Sequence, residues 1–125
     1  VSPRAGGNRL AEILNYATDV NIIYAETVKS IGIRPENVKE PTYNGYYAIY
    51  NIHSGNAGKF DDMVIDDELS MHIIEKELRI KKGDMISLFT GANTSIGTLF
   101  LRFFNREQLE KALENHIKWV KVNVL

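Results

Sequence analysis

Residues 1–9 read Val1-Ser2-Pro3-Arg4-Ala5-Gly6-Gly7-Asn8-Arg9, and the reading of this run decides the fold. Pro3 restricts Ser2 to an extended conformation, and Gly6-Gly7 permits a tight backbone path. Asn8 stands where a helix N-cap is expected, because Leu10, Ile13, Leu14 and Ala17 follow at helical spacing. A loop of this kind projects Arg4 near the unpaired N–H groups of a helix start, a place that favours phosphate or carboxylate. The same residues also suit an ordinary loop carrying a surface arginine.

Outward from that run, Thr18 and Asp19 are expected to cap a second helix, with Val20, Ile23, Thr27, Val28 and Ile31 on its buried side and Gly32 as its stop. Residues 33–42 form a polar linker with two prolines. Strand signals follow at 46–53 and 60–65, where Tyr, Ile and Val are frequent. The stretch 55–58 is turn chemistry, read as a hairpin turn, and Asp66-Asp67 suits the cap of a short helix. Residues 72–80 are expected to pair with 85–89 across a Lys82-Gly83-Asp84 turn, and 99–104 supplies a further strand. The last element is the clearest. Asn105 and Gln108 resemble a capping box, and Leu109, Ala112, Leu113, Ile117 and Val120 form an apolar stripe. Glu107–Lys111 and Glu114–Lys118 are expected i,i+4 pairs. The fold class is therefore α+β: an N-terminal helical segment, an antiparallel sheet of about five strands, and a closing C-terminal helix.

Composition excludes several functions. The 125 residues are 44% hydrophobic and 25% charged, with 15 Lys plus Arg against 16 Asp plus Glu and a net charge of −1. That is an ordinary globular balance and gives nucleic acid no basic face. No apolar run approaches the roughly 20 residues of a membrane span. With no cysteine there are no disulfides, thiolate zinc sites or thiol nucleophiles. The absence of cysteine and of a signal peptide gives a cytoplasmic expectation.

Local motifs elsewhere fail on their spelling. Gly55-Asn56-Ala57-Gly58-Lys59 lacks the first glycine of a P-loop, where His53 stands, and the Ser or Thr after the lysine, where Phe60 stands. Ser95 has Asn93 where a nucleophile elbow needs glycine. Lys81-Lys82 precedes a Gly-Asp turn and lacks the flanks of a biotinyl or lipoyl lysine. His53, His72 and His116 are too scattered for metal-ligand spacing. The acidic pairs Asp61-Asp62 and Asp66-Asp67 suit solvated loops or caps.

The run Ser2-Pro3-Arg4-Ala5-Gly6-Gly7 resembles the Glu-x-Asn-Pro-Arg-x-Gly-Gly segment of the ATP-grasp superfamily, as in biotin-carboxylase-like and carbamoyl-phosphate-synthase-like ligases. The helix that follows is similar too. So is the downstream order: a strand ending at His53-Ser54, then Lys82-Gly83-Asp84, then the run from Gly91 to Phe103. The resemblance implies the C-terminal portion of such a ligase. Residues 1–32 would be the tail of the catalytic domain, 33–42 a linker, and 43–125 a small C-terminal α+β domain. It implies ATP and Mg²⁺ in the parent protein, a small-molecule carboxylate substrate, and activation of that substrate as an acylphosphate. Arg4 then carries the catalytic position, Gly6 and Gly7 the nucleotide side, and Ser2 the metal position, where the family has Asn. The family's Glu would stand one place before Val1.

On this reading the chain alone binds neither ATP nor Mg²⁺ and catalyses nothing. Its N-terminal helices are left with uncovered apolar faces, which favours self-association, including a homodimer. Arg9 is expected to be a packing or surface residue whose loss is mild. The rival reading is a non-enzymatic binding or assembly module.

Overall fold

The computed structural model describes residues 7–36 and 38–125. The elements run α1 (Leu10–Thr18), α2 (Ile22–Ser30), β1 (Tyr46–Ile52), β2 (Gly58–Ile65), α3 (Asp67–Ser70), β3 (Ile73–Leu78), β4 (Met85–Ile86), β5 (Gly97–Phe103), α4 (Arg106–Trp119) and β6 (Val120–Val124). The α+β class, the antiparallel pairing and the C-terminal helix are as expected. The strands number six and divide into two three-stranded sheets, ordered β1-β5-β3 and β4-β2-β6.

The division has a physical cause in β5. Its residues are buried on both faces, apart from the half-buried Arg102. Leu99, Leu101 and Phe103 point into a core shared with Ile52, Phe60, Leu69, Ile86, Ala112 and Val120. That core lies between the two sheets, with α3 and α4 closing it. Thr98 and Phe100, on the alternate positions, are 1% and 0% exposed on the other face, where Thr98 meets Arg79 and Phe100 meets α1. Tyr16 of α1 lies 5.7 Å from the Phe100 ring. A strand sandwiched in this way must be central, so β5 takes both β1 and β3 as neighbours.

This overturns the expected pairing of 72–80 with 85–89. The ladder of β3 is taken by β5, with Glu75 opposite Phe100 and Glu77 opposite Thr98. β4 pairs instead with the start of β2, Gly58 opposite Ile86. The Lys81–Asp84 turn is accordingly a crossing between sheets and not a hairpin. The Asp84 carboxylate accepts from the Lys81 amide at 2.8 Å, and Gly83 donates to the Phe60 carbonyl at 2.7 Å. Gly83 sits at φ 94°, where a side chain would be strained. The turn at 55–58 is likewise a crossing, since β1 and β2 belong to different sheets. Gly58 is needed there for space, because a Cβ would meet the Leu125 carbonyl at 2.9 Å.

β6 was not expected. Residues up to Val120 fit the helical stripe, and Val122 and Val124 leave too short an alternation to register as a strand. In the fold, β6 is the second neighbour of β2, running from Ile65 opposite Val120 to Phe60 opposite Val124.

The caps are partly as read. The Asp66 carboxylate accepts from the Glu68 amide at 2.9 Å. Asn105 accepts from Gln108 N, and the Gln108 side chain accepts from Phe104 N. Gly32 follows α2 at φ 80°, as a helix stop. Elsewhere the caps move. Thr18 lies in the last turn of α1, its hydroxyl donating to the Leu14 carbonyl. Asp19 ends that helix in a left-handed conformation. Asn21 is the residue that caps α2, accepting from Tyr24 N.

The expected buried side of α2 is not buried. No residue of that helix is, and Ile23 and Tyr24 are each about half exposed. On α4, Ala112 reaches the core while Leu113 and Ile117 remain exposed. The expected i,i+4 pairs are replaced as well. Arg106 pairs with Glu110, and Lys111 reaches across to Glu68 on α3.

Candidate functional site

Ser2, Arg4 and Gly6 lie outside the described residues, so of the nominated positions Gly7 alone has a described place. It is an exposed turn residue at the start of α1, and its carbonyl accepts from the Leu10 amide at 3.3 Å. Gly7 is absent from the positive-φ glycines, and a Cβ built on it meets no heavy atom within 4 Å. Neither backbone strain nor packing within the described residues therefore demands glycine here.

The junction into the helix is strained. Asn8 and Arg9 both adopt the left-handed region, at φ 57° and 61°. That conformation costs roughly 1–2 kcal/mol for an L-residue, less for asparagine. No side chain caps α1, so Asn8 does not play the expected role. The Arg9 carbonyl accepts from Glu12 N and Ile13 N and closes the first turn.

What holds Arg9 in that conformation is its side chain. Nε donates to Glu12 Oε1 at 2.9 Å, with Nη2 reaching the other oxygen of the same carboxylate. Nη2 also donates to Glu75 Oε1 at 2.6 Å, and Nη1 to Glu77 Oε2 at 3.0 Å. The guanidinium lies 4.4 Å from the centroid of the Phe100 ring. Tyr16 completes the group, its hydroxyl donating to Glu75 Oε2 at 2.8 Å. One residue of the helix entry is thus bound to its own helix, to β3 and to β5. Arg9 is a packing residue, one of the two places expected for it, bonded to three carboxylates on two elements. Two of its three carboxylate partners come from 66 and 68 positions away, and no local pattern announces them. The available signal was weak: Glu75 and Glu77 alternate onto one face of a strand.

The charges reinforce one another. Hydrogen bonding to Glu12, helped by Glu75 and opposed by desolvation, raises the Arg9 pKa still further. The Arg9 hydrogen bond, with a second from Tyr16, holds the Glu75 carboxyl below its ordinary value of about 4.5. The bond to Glu75 pushes the Tyr16 hydroxyl upward. A depressed carboxylate stabilises the fold above its unfolded pKa, and that contribution is lost as pH falls through the folded value. The Glu75 side chain is 33% exposed, so solvent screening limits the contribution to about 1 kcal/mol. Glu75→Gln is therefore expected to melt below the unaltered chain at pH 7. The gap should persist to about pH 5 and close below the ordinary carboxylate value of about 4.5. Melting curves at stepped pH check it, and a gap unchanged at pH 3 would remove Glu75 from the network.

Four of the five N–H donors of Arg9 are engaged, around three carboxylates. The cluster is net negative, so Arg9 is not available to clamp an anion. The other motif residues take structural roles. His72 Nδ1 donates to the Arg102 carbonyl, and His116 Nδ1 to that of Leu113. The His53 ring lies against Phe89. The Ser95 hydroxyl donates to the Gly97 carbonyl. Asp61 pairs with Lys82, and the Asp62 carboxylate accepts from Asn123. Among the described residues no group of three or more His, Cys, Asp or Glu is placed to hold a metal ion. No described helix is long and apolar enough to cross a membrane.

No family model and no curated protein sequence matches the chain. Solved structures do. Phosphoribosylglycinamide synthetase from Anaerococcus prevotii superposes with a TM-score of 0.73 at 17% identity, over 99% of this chain and 32% of its own. L-amino acid ligase from Bacillus licheniformis superposes with a TM-score of 0.75 at 13% identity, over 98% and 31%. The chain thus spans about a third of the length of either structure. The fold described above is that of a segment of both proteins. At these identities the likeness is one of fold.

Proposed function

We propose that this chain is the C-terminal part of an ATP-grasp carboxylate–amine ligase, or of one using a similar nucleophile. One combination of observations carries the reading. The sequence Pro-Arg-x-Gly-Gly stands directly before a helix docked on a fold shared, over nearly the whole chain, with two ATP-grasp ligases. Residues 1–32 then belong to the catalytic domain, 33–42 link, and 43–125 form the small domain. The nucleotide and most substrate determinants lie in the remainder of the ligase, and this chain alone turns nothing over.

In the reaction, a carboxylate oxygen attacks the γ-phosphorus of ATP and ADP leaves. The amine then attacks the acyl carbon, and inorganic phosphate departs carrying that carboxylate oxygen. This chain contributes Arg4, whose permanent charge and planar donors suit phosphoryl oxygens. Gly6 and Gly7 let backbone N–H groups approach the anion. The fit to magnesium is poor. Ser2 is a weaker ligand for a hard cation than a carboxylate, and the described residues offer no cluster to supplement it. No step is therefore assigned to the ion through this chain.

The test follows the oxygen. The full-length ligase is incubated with Mg-ATP, amines and a panel of carboxylates labelled with ¹⁸O. Phosphate released with the productive carboxylate is expected to carry one ¹⁸O atom. Amide formation with unlabelled phosphate would overturn the acylphosphate route. No carboxylate-dependent ADP formation across the panel would overturn the ligase reading.

A further inference from the structure

We propose that the open hollow between the end of β1, the end of α4 and β6 is a binding site for a small amphipathic carboxylate, a molecule with one anionic head and a flat apolar body. The hollow has a volume of about 710 Å³, within the range of roughly 300–1,000 Å³ that small-molecule sites occupy. Its walls include Tyr50 on β1, His53 just after it, Phe89, His116 and Ile117 on α4, and Lys121 on β6. It lies wholly within residues 50–123, so it stands whether or not the chain belongs to a ligase.

The walls can take negative charge and hold none of their own. The titratable side chains that line the hollow are two histidines, one lysine and the Tyr50 phenol, with no aspartate or glutamate. Asn123 carries the link to a carboxylate, donating to Asp62 on β2. All 16 acidic side chains of the chain lie among the described residues, and none of them pairs with Lys121. His53 Nδ1 is shut from solvent and has no hydrogen-bond partner. A proton there would be an unpaired buried donor, so the neutral ring carries its proton on Nε2, the nitrogen left to a ligand. An N–H and an ammonium together suit a carboxylate head.

The remaining walls are flat and apolar. The His53 and Phe89 rings lie 4.4 Å apart, and Phe89 is still 55% exposed. His116 is tied to its own helix by Nδ1, which donates to the Leu113 carbonyl, and its ring stands edge-on to Tyr50 at 5.9 Å. Tyr50 and His116 also line a second hollow of about 190 Å³ between β1 and α4, walled otherwise by apolar side chains such as Leu109 and Leu113. That is larger than the roughly 150 Å³ apolar cavity that accepts benzene. The carboxylate head therefore belongs at His53 and Lys121, and the body along Phe89 and Tyr50 towards the second hollow.

The test is a titration of the 125-residue chain with 4-phenylbutyrate, followed by backbone-amide and aromatic-carbon NMR shifts. Saturable shifts are expected at Tyr50, His53, Phe89, His116 and Lys121, half-complete at about 1 mM or below. The alcohol 4-phenylbutan-1-ol has the same body without the charge and is expected to bind about tenfold more weakly. Acetate and inorganic phosphate, heads without a body, are expected to show no saturation below about 20 mM. Lys121→Met, at an exposed position, and His53→Phe, which keeps a ring against Phe89, are each expected to weaken the acid about threefold or more and to leave the alcohol within about twofold. Phe89→Ala is expected to weaken both. Absence of saturable shifts with phenylbutyrate, or shifts centred on another surface, overturns the site. Equal binding of acid and alcohol overturns the anionic head, and phosphate saturating as readily as the acid overturns the apolar body. If His53→Phe does not fold, Lys121→Met decides alone: unchanged affinity for the acid removes the head from this end of the hollow.

Discussion

Replacing Arg4 with alanine in the full-length protein is expected, on the ligase reading proposed above, to lower turnover by roughly two to three powers of ten, while ATP affinity changes far less. A guanidinium beside a transferring phosphoryl group does most of its work where charge redistributes, so its loss appears in kcat rather than in ground-state binding. Removing one such preorganised donor commonly costs about 3–4 kcal/mol. Arg4→Lys should recover only part, because an ammonium offers a point charge and not two parallel donors. The rate is measured as carboxylate-dependent ADP release, with thermal melting to establish that each variant folds. Near-normal turnover in Arg4→Ala would mean that Val1-Ser2-Pro3-Arg4-Ala5-Gly6-Gly7 is not the phosphoryl-transfer loop, and would favour a binding module.

Variants at Arg4 and Arg9 address different parts of the chain. On the proposed reading, Arg4→Ala removes a group from the reacting atoms, and it alters none of the residues of the network around Arg9. Arg9→Met leaves Arg4 present and releases the helix entry from Glu75, Glu77 and Phe100. Only the second should quicken amide exchange along the first turn of α1. Glu75→Gln is the milder version of the same release, because Glu12 and Glu77 still hold the guanidinium.

The strands of 46–52 and 58–65, the short helix capped by Asp66 and the long helix capped by Asn105 were legible because each depends on local chemistry: aromatic and β-branched runs, a carboxylate two residues before an N–H, an amide three residues before one. The partition into two sheets was not. It is decided by the double burial of β5, and whether Phe100 faces solvent or α1 cannot be read from alternation alone. The helical periodicity of α2 was real, yet Ile23 and Tyr24 are only about half covered by the described residues. At the site, the loop was recognisable only through its resemblance to a family motif. The network around Arg9 was not legible, because two of its three carboxylate partners lie more than sixty positions away.

Phe103→Ala is expected to cost about 3–5 kcal/mol, the largest stability effect of any single truncation argued here. Its ring is fully buried at the end of β5, against His72 at 4.6 Å, and belongs to the core that joins both sheets. For a chain of this length the loss corresponds to a fall in Tm of roughly 12–20 °C. Phe100→Ala removes the same volume from the opposite face of the same strand, where the neighbours are Tyr16 and the Arg9 guanidinium rather than the core. The two should differ in kind. Phe103→Ala loosens both sheets together and lowers exchange protection throughout. Phe100→Ala costs less, since α1 can settle towards the space, and concentrates its effect at 10–18. Denaturant unfolding at unchanged m-value, with site-resolved exchange, distinguishes them. If Phe103→Ala stays within 1 kcal/mol of the parent, or if Phe100→Ala unprotects β2 and β6 as strongly as α1, then β5 does not divide a shared core from a separately docked helix.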